Sequence, residues 1–246
     1  MLFIAKKGYI FVFQKWIEMK NVVVISADII ASTRINTSEK INLENNLNEI
    51  LEIIKQQYNV YGRILKGDYI EMVIENPEDS LNIVLMLKSF IKKIHFKSTE
   101  DNARLKSFRN YGIRIAMGFG VLDRYDKTKG IIDGEAICFS GRKISSERTT
   151  HNKKRIVVKN TLFFESKNEQ LNENFNAIIG FIDFIINKAT AKQSEILYLR
   201  LSGLSEHEIA EEKNIKQPTV NKQLSSLGWN HIEKAIQYFR NTIQNY

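Results

Sequence analysis

Val22-Val23-Val24-Ile25-Ser26-Ala27-Asp28-Ile29-Ile30-Ala31-Ser32-Thr33 is the stretch from which the rest of the chain is read. It opens as a β-branched apolar run, the pattern of a buried strand. Asp28 interrupts that run. An unpaired carboxylate in apolar surroundings costs on the order of several kcal/mol, so Asp28 is expected at a strand end, facing a cation or a set of donors. The small hydroxyls Ser32 and Thr33 follow, and a helix starts near Thr37 or Ser38. A strand that ends in a carboxylate and passes through small residues to a helix start is one way to hold a metal ion and phosphates. The plainer alternative is that Asp28 caps a turn.

Working outward, Arg63-Ile64-Leu65-Lys66-Gly67-Asp68-Tyr69-Ile70-Glu71-Met72-Val73-Ile74 reads as two strands joined at Lys66-Gly67-Asp68. Gly and Asp supply the turn of a hairpin. This brings a second carboxylate, Asp68, to a strand junction. If the hairpin pairs beside the first strand, Asp28 and Asp68 can share divalent cations that hold a nucleotide's phosphates for in-line attack. Farther on, 111–120 reads as another strand. Asp133-Gly134-Glu135-Ala136-Ile137-Cys138-Phe139-Ser140-Gly141-Arg142-Lys143 opens a helix.

Together these segments resemble the class III nucleotidyl cyclases and the related GGDEF domains. The resemblance rests on Asp28 to Thr33, Gly67-Asp68, Arg114 to Gly120 and Gly134 to Arg142, in that order. The Asp-Gly-x-Ala form, with the C-terminal segment described below, is similar to the SatD family over nearly all of the chain after Met19. The resemblance implies Asp28 and Asp68 as metal residues, with Mg²⁺ or Mn²⁺ as the ion. It implies phosphate or nucleotide contacts from Ser32, Thr33, Lys66, Gly67, Glu135 and Cys138, and charge stabilisation by Arg142. The pattern also departs from the family. The cyclase Asn falls on Cys138, the base-reading Asp on Glu135, and the base-reading Lys on Ile64, with Arg63 and Lys66 close by. The resemblance thus implies a retained metal and phosphate half and a rewritten base-reading half.

The composition allows this. The chain has 246 residues, 43% of them hydrophobic, enough for one good core and a small second domain. Two prolines and twelve glycines argue against a low-complexity protein. One cysteine, Cys138, excludes an intramolecular disulfide and suits a reducing cytoplasm. Cys138 itself reads as a small apolar filler rather than a nucleophile. The histidines 95, 151, 207 and 231 are too scattered for a zinc site. The net charge of +8 favours polyanionic partners. Between Arg142 and Lys159, Arg142, Lys143, Arg148, Lys153, Lys154, Arg155 and Lys159 stand against Glu147 alone. This stretch is a solvated face or a wall facing phosphates. No apolar run reaches the roughly 18 residues of a membrane span. Residues 1–18 lack the pattern of a signal peptide and are expected to be an extension of little structural role.

The predicted elements, in order, are a strand, an amphipathic helix with Leu43, Leu47, Ile50, Leu51 and Ile54 on one face, and the hairpin. A second helix then opens at Asn76-Pro77-Glu78-Asp79. A polar loop over 96–110, the 111–120 strand, a helix over 134–147 and a last strand at 155–158 close the unit. The order β-α-β-β-α-β gives the expected fold class: α+β, a ferredoxin-like, cyclase-type sheet with helices on one face. The expected division is a cyclase-like domain at 19–160, a connecting helix at 161–188 and a small all-α domain at 189–246. The connecting helix can pair with another copy or fill a groove on its own domain.

Within 189–246, Ala191–Leu201 reads as a helix ended by Ser202-Gly203. Ser205 and Glu208 form a capping box opening a second helix. Asn214 suits the left-handed turn before a third. Ala210 and Val220 are small enough for the close crossing of a helix-turn-helix. The segment resembles that of sigma-factor region 4 and of response regulators. Trp229 and Tyr238 are expected in its core. Gln217, Thr219, Asn221, Lys222 and Gln223 would face double-stranded DNA. The alternative is a helical protein-protein module. The expected function is a cytoplasmic DNA-binding regulator whose first domain binds a nucleotide or related phosphate ligand. The rivals are an active cyclase or phosphotransferase with two-metal chemistry, and a non-catalytic interaction scaffold.

Overall fold

The computed structural model describes residues 20–30, 37–65, 67–94, 103–153 and 160–246. The central strand is β1 (Val22–Ile29), flanked on one side by the hairpin of β2 (Tyr61–Leu65) and β3 (Tyr69–Ile74) and on the other by β4 (Ile113–Gly120). Beyond β4 lies β7 (Leu162–Ser166). The sheet order is therefore β2-β3-β1-β4-β7. The first four strands are mutually antiparallel in the ferredoxin-like order, and β7 pairs parallel to β4. β5 (Leu122–Asp126) and β6 (Ile131–Gly134) form a separate hairpin.

Both faces of the sheet are covered. Val23, Ile25 and Ala27 of β1 share a core with Ile70, Met72, Ile115 and Met117. Two helices close this side, α1 (Thr37–Tyr58) and α2 (Ser80–Lys93). Alternate residues point the other way. There Val22, Val24 and Val73 meet Ala136, while Ala116, Phe163 and Tyr69 meet Ile144. Ala136 and Ile144 belong to α4 (Glu135–Lys153). The expectation of helices on one face is thus corrected: α4 lies across the opposite face from α1 and α2. The reason is the continuous apolar run of β1, which leaves no face suited to water.

Two further expectations change. The sequence predicts a loop over 96–110, but 103–111 is a helix, α3 (Ala103–Tyr111). It is anchored by buried Phe108 and stopped by Gly112 at φ +64°. The last described strand is β7, in residues that read as irregular, so the sheet runs past residue 160. The expected strand at 155–158 lies outside the described residues, as does the extension at 1–18.

The remaining chain is helical: α5 (Glu169–Lys188), α6 (Ala191–Leu201), α7 (Glu206–Glu212), α8 (Gln217–Ser226) and α9 (Trp229–Ile243). α6 packs on α2, where Phe90 and Tyr198 meet edge to face with centroids 5.1 Å apart. Asn82 donates to the carbonyl of Leu201 (3.1 Å), and Arg240 pairs with Asp79 (3.1 Å). One hydrophobic cluster runs through both regions. α2 is consequently buried nearly all round, which explains its apolar sequence. The expected capping box forms at Ser205/Glu208, a second one forms at Thr190/Gln193, and Asn214 takes the left-handed turn at φ +51°. Trp229 packs under Arg200, whereas Tyr238 is half exposed rather than core. Among the described residues no helix is long and apolar enough to cross a membrane.

Candidate functional site

Asp28 comes at the end of β1, on the α4 side of the sheet. Register fixes its surroundings: its Cα partners are Tyr69 on β3 and Arg114 on β4. The Arg114 guanidinium donates from Nη1 to Oδ2 (3.1 Å) and Oδ1 (3.3 Å) of Asp28. Both side chains are largely buried. The cation anticipated for Asp28 is therefore present within the chain, and a partly buried carboxylate is compensated by its neighbouring strand. Arg114 is the one charged residue in an otherwise apolar β4, and that isolation is the sequence signal for this role.

Asp68 arrives beside Asp28 through the turn. The amide of Ile29 donates to the carbonyl of Asp68 (3.1 Å), so the two aspartates stand on adjoining strand ends. Gly67 makes the turn possible at φ +79°, where a side chain would be strained. A Cβ there would also lie 3.4 Å from the Glu44 carboxylate of α1. Among the described residues, no group of three or more His, Cys, Asp or Glu side chains forms a metal centre. Two carboxylates at one edge still suit an ion that takes most of its oxygens from water and phosphate, as Mg²⁺ does.

The face between Asp28 and α4 carries a polar ladder. The hydroxyls of Ser26 and Ser140 lie 2.9 Å apart and buried. Burial raises the Tyr69 phenol above its usual pKa, a hydrogen bond with Ser26 opposes the rise, and the Glu71 and Asp28 charges add to it. Arg63 grips Oε2 of Glu71 through Nε (2.9 Å) and Nη2 (2.6 Å), and donates to the carbonyl of Gly130 (2.6 Å). Gly118 explains how α4 comes so close: a Cβ there would collide with the Ala136 carbonyl and the Ser140 amide. The glycine of the Arg-Ile-x-x-Gly-x-Gly segment is thus a packing requirement.

Glu135 lies in the first turn of α4 against Gly120, and its Oε2 is buried without a hydrogen-bond partner. Cys138 and Arg142 sit one helical turn apart, and both are exposed. Ala136, Ser140 and Ile144 face the sheet, so Cys138 and Arg142 turn outward. The filler role expected for Cys138 is corrected. Within one chain Arg142 is not brought over Asp28 and Asp68. Ser32, Thr33 and Lys66 lie outside the described residues.

On α8, Val220 and Leu224 are buried, while Gln217, Thr219, Asn221 and Lys222 are exposed and Gln223 is half-buried. Gln217 and Asn221 both donate to the carboxylate of Glu206 at the start of α7.

No family model matches this chain, and no curated protein does. Among solved structures, it is similar to two of a bacterial light-regulated adenylyl cyclase, at 16% identity over 58% of this chain. Their TM-scores are 0.41 and 0.40. The chain covers 42% of the first and 74% of the second. A guanylyl cyclase structure is similar at 14% identity and TM-score 0.35, over 56% of this chain and 81% of that one.

Proposed function

We propose that this protein is a regulator whose cyclase-like domain binds a nucleotide or related phosphate ligand with a divalent cation, and whose α7 and α8 read double-stranded DNA. The observation that carries the first half is the meeting of Asp28 and Asp68 on adjoining strand ends, reached through the Ile29–Asp68 backbone bond. Asp28 and Asp68 would hold Mg²⁺ or Mn²⁺, which supplies charge neutralisation at the phosphates. Arg114 holds the Asp28 carboxylate at the strand edge through its 3.1 Å ion pair. Ser32, Thr33, Lys66 and Gly67 would receive phosphate oxygens, and Glu135 and Cys138 would contact the rest of the ligand.

The second half is supported by the exposure of Gln217, Thr219, Asn221 and Lys222 on one side of α8, with Val220 and Leu224 holding the other side in the core. The contact of α6 with α2 gives the ligand domain a mechanical path to these helices. Binding that shifts α2 would shift the reading helix.

The enzyme reading assigns Arg142 to stabilise charge building on the phosphate. The outward turn of Cys138 and Arg142 in a single chain weighs against it, and the regulator reading is preferred. The test is a thermal-shift panel of nucleoside triphosphates and cyclic nucleotides with and without Mg²⁺ or Mn²⁺. A metal-dependent rise in Tm that is lost in Asp68→Ala is expected. A panel without any shift, with the protein folded, would remove the ligand-binding reading.

A further inference from the structure

The outer surface of α5 is unlike that of any other described helix. Phe181 is 75% exposed and Phe184 49%, and no other phenylalanine is among the exposed large hydrophobics of the described residues. Their outward position is fixed from the inside. Asp183, between them in sequence, is fully buried and pairs with fully buried Lys88 of α2 at 3.1 Å. Thr161 donates to the same carboxylate from its hydroxyl (2.8 Å) and from its amide. Phe175, Ile179 and Ile182 fill the core beside it. α5 therefore cannot rotate to hide Phe181 and Phe184 without breaking a buried ion pair.

The exposed stripe is Gln170, Asn174, Ala177, Phe181, Phe184 and Lys188, at alternating spacings of four and three. Such spacing makes a helix-pairing seam. The spacings read the same in both directions about residue 179. An antiparallel pair of α5 helices would set Ala177 of each copy against Phe181 of the other, a small side chain against a large one. Its ends would set Lys188 against Gln170, which is flanked by Glu169 and Glu173. The N-terminal half of α5 carries the exposed acids, Glu169 and Glu173, and its last turn the base, while Asp183 is buried, so surface charges match only in the antiparallel sense. Lys188 already lies over the Phe184 ring, 4.2 Å from its centroid.

We propose that this face of α5 joins two copies of the chain, antiparallel about a two-fold axis near Ile179. The partner is a second copy because the face complements itself in spacing, size and charge. The contact lies on the opposite side of the sheet from α4 and leaves the candidate ligand site uncovered. The inference does not depend on the regulator reading.

The experiment is sedimentation velocity on the full chain between about 1 and 100 µM. The expected result is a dimer whose dissociation constant rises at least tenfold in both Phe181→Glu and Phe184→Glu, each with an unchanged circular dichroism spectrum. Glu173→Lys and Lys188→Glu should each weaken the dimer, and the two combined should restore it, because antiparallel pairing then sets the reversed charges together again. A structural role for either residue gives no such rescue. A wild-type monomer throughout this range would overturn the proposal, whether residues 1–19 of the same chain or nothing covers the face. So would a dimer unmoved by Phe181→Glu and by the single charge reversals.

Discussion

Arg114 and Asp28 face each other across β4 and β1, with Nη1 3.1 Å from Oδ2, at the edge where Asp68 also arrives. Each is the charged residue of an otherwise nearly apolar strand. Their pairing compensates a largely buried carboxylate in a sheet covered on both faces.

This relationship sets the first expectation. Arg114→Leu removes the guanidinium from a carboxylate that is only 17% exposed. Breaking a buried pair at one end typically costs about 3 kcal/mol. Asp28→Asn alone should cost less, because the amide keeps a hydrogen-bonding oxygen. The double variant should be more stable than the sum of the two losses implies, with a coupling of about 1–3 kcal/mol by urea denaturation. Additive losses would show that the pair contributes nothing beyond its separate groups.

Gly118→Ala tests the packing of α4. The added methyl would meet backbone on α4, the Ala136 carbonyl and the Ser140 amide, which cannot swing aside as a side chain can. The helix must lift from β4 and β1, separating Ser140 from Ser26. A loss of about 2–3 kcal/mol is expected from overpacking of this kind. Gly141→Ala, where nothing lies within 4 Å of the added atom, should be neutral or slightly stabilising. Equal effects at the two positions would contradict the close approach.

Much of this was legible in the sequence, for identifiable reasons. The β1, β2, β3 and β4 order followed from local signals: a β-branched run, a Gly-Asp turn and two helical stripes between them. The Ser205/Glu208 capping box and Asn214 marked α7 and α8 because they are short-range features. What depended on long-range pairing was lost. Arg114 faces Asp28 only through strand register. The place of α4 follows from which side of a doubly covered sheet is free, although the unbroken run Val22 to Ile25 signalled that both sides are covered. α3 was hidden because a single residue, Phe108, ties a polar segment to the core. The outward turn of Cys138 and Arg142 was readable from their two-residue offsets to Ala136, Ser140 and Ile144, once the buried face of α4 is known.

Lys92 gives a pH expectation. Its ammonium donates to the carbonyls of Arg109 (2.9 Å), Asn110 (2.6 Å) and Asn187 (3.3 Å), joining α2 to the C-terminal ends of α3 and α5. Burial, and then the neighbouring Lys88 charge, lower its pKa to about 7, while Asp183 opposes the shift. A lysine depressed in the folded state releases its proton there first. Between about pH 7 and the unfolded value near 10.5 the unfolded chain binds more protons, so stability from this group rises with pH across that window. The slope is at most about 1.4 kcal/mol per pH unit. Urea midpoints from pH 6 to 9.5 should climb more steeply in wild type than in Lys92→Met. Parallel curves would mean that the three carbonyls hold the ammonium charged throughout.

The last expectation concerns Glu206. Its carboxylate accepts from Gln217 and from Asn221 (3.2 Å), two of the side chains proposed to read bases. An anion at the reading face opposes the approach of phosphates and occupies the donors needed by base edges. Glu206→Gln should therefore tighten duplex binding severalfold at low salt, and the effect should shrink as salt rises. Lys222→Ala should act in the other direction, weakening binding to all duplexes alike and lowering the salt slope by about one. Asn221→Ala should change preference between sequences more than overall affinity. Fluorescence anisotropy with labelled duplexes, over a salt series and with the phosphate ligand present, separates these effects. If neither wild type nor Glu206→Gln binds any duplex at low salt while remaining folded, α7 and α8 belong to a protein-protein contact, and the carboxylate at their junction is part of that surface.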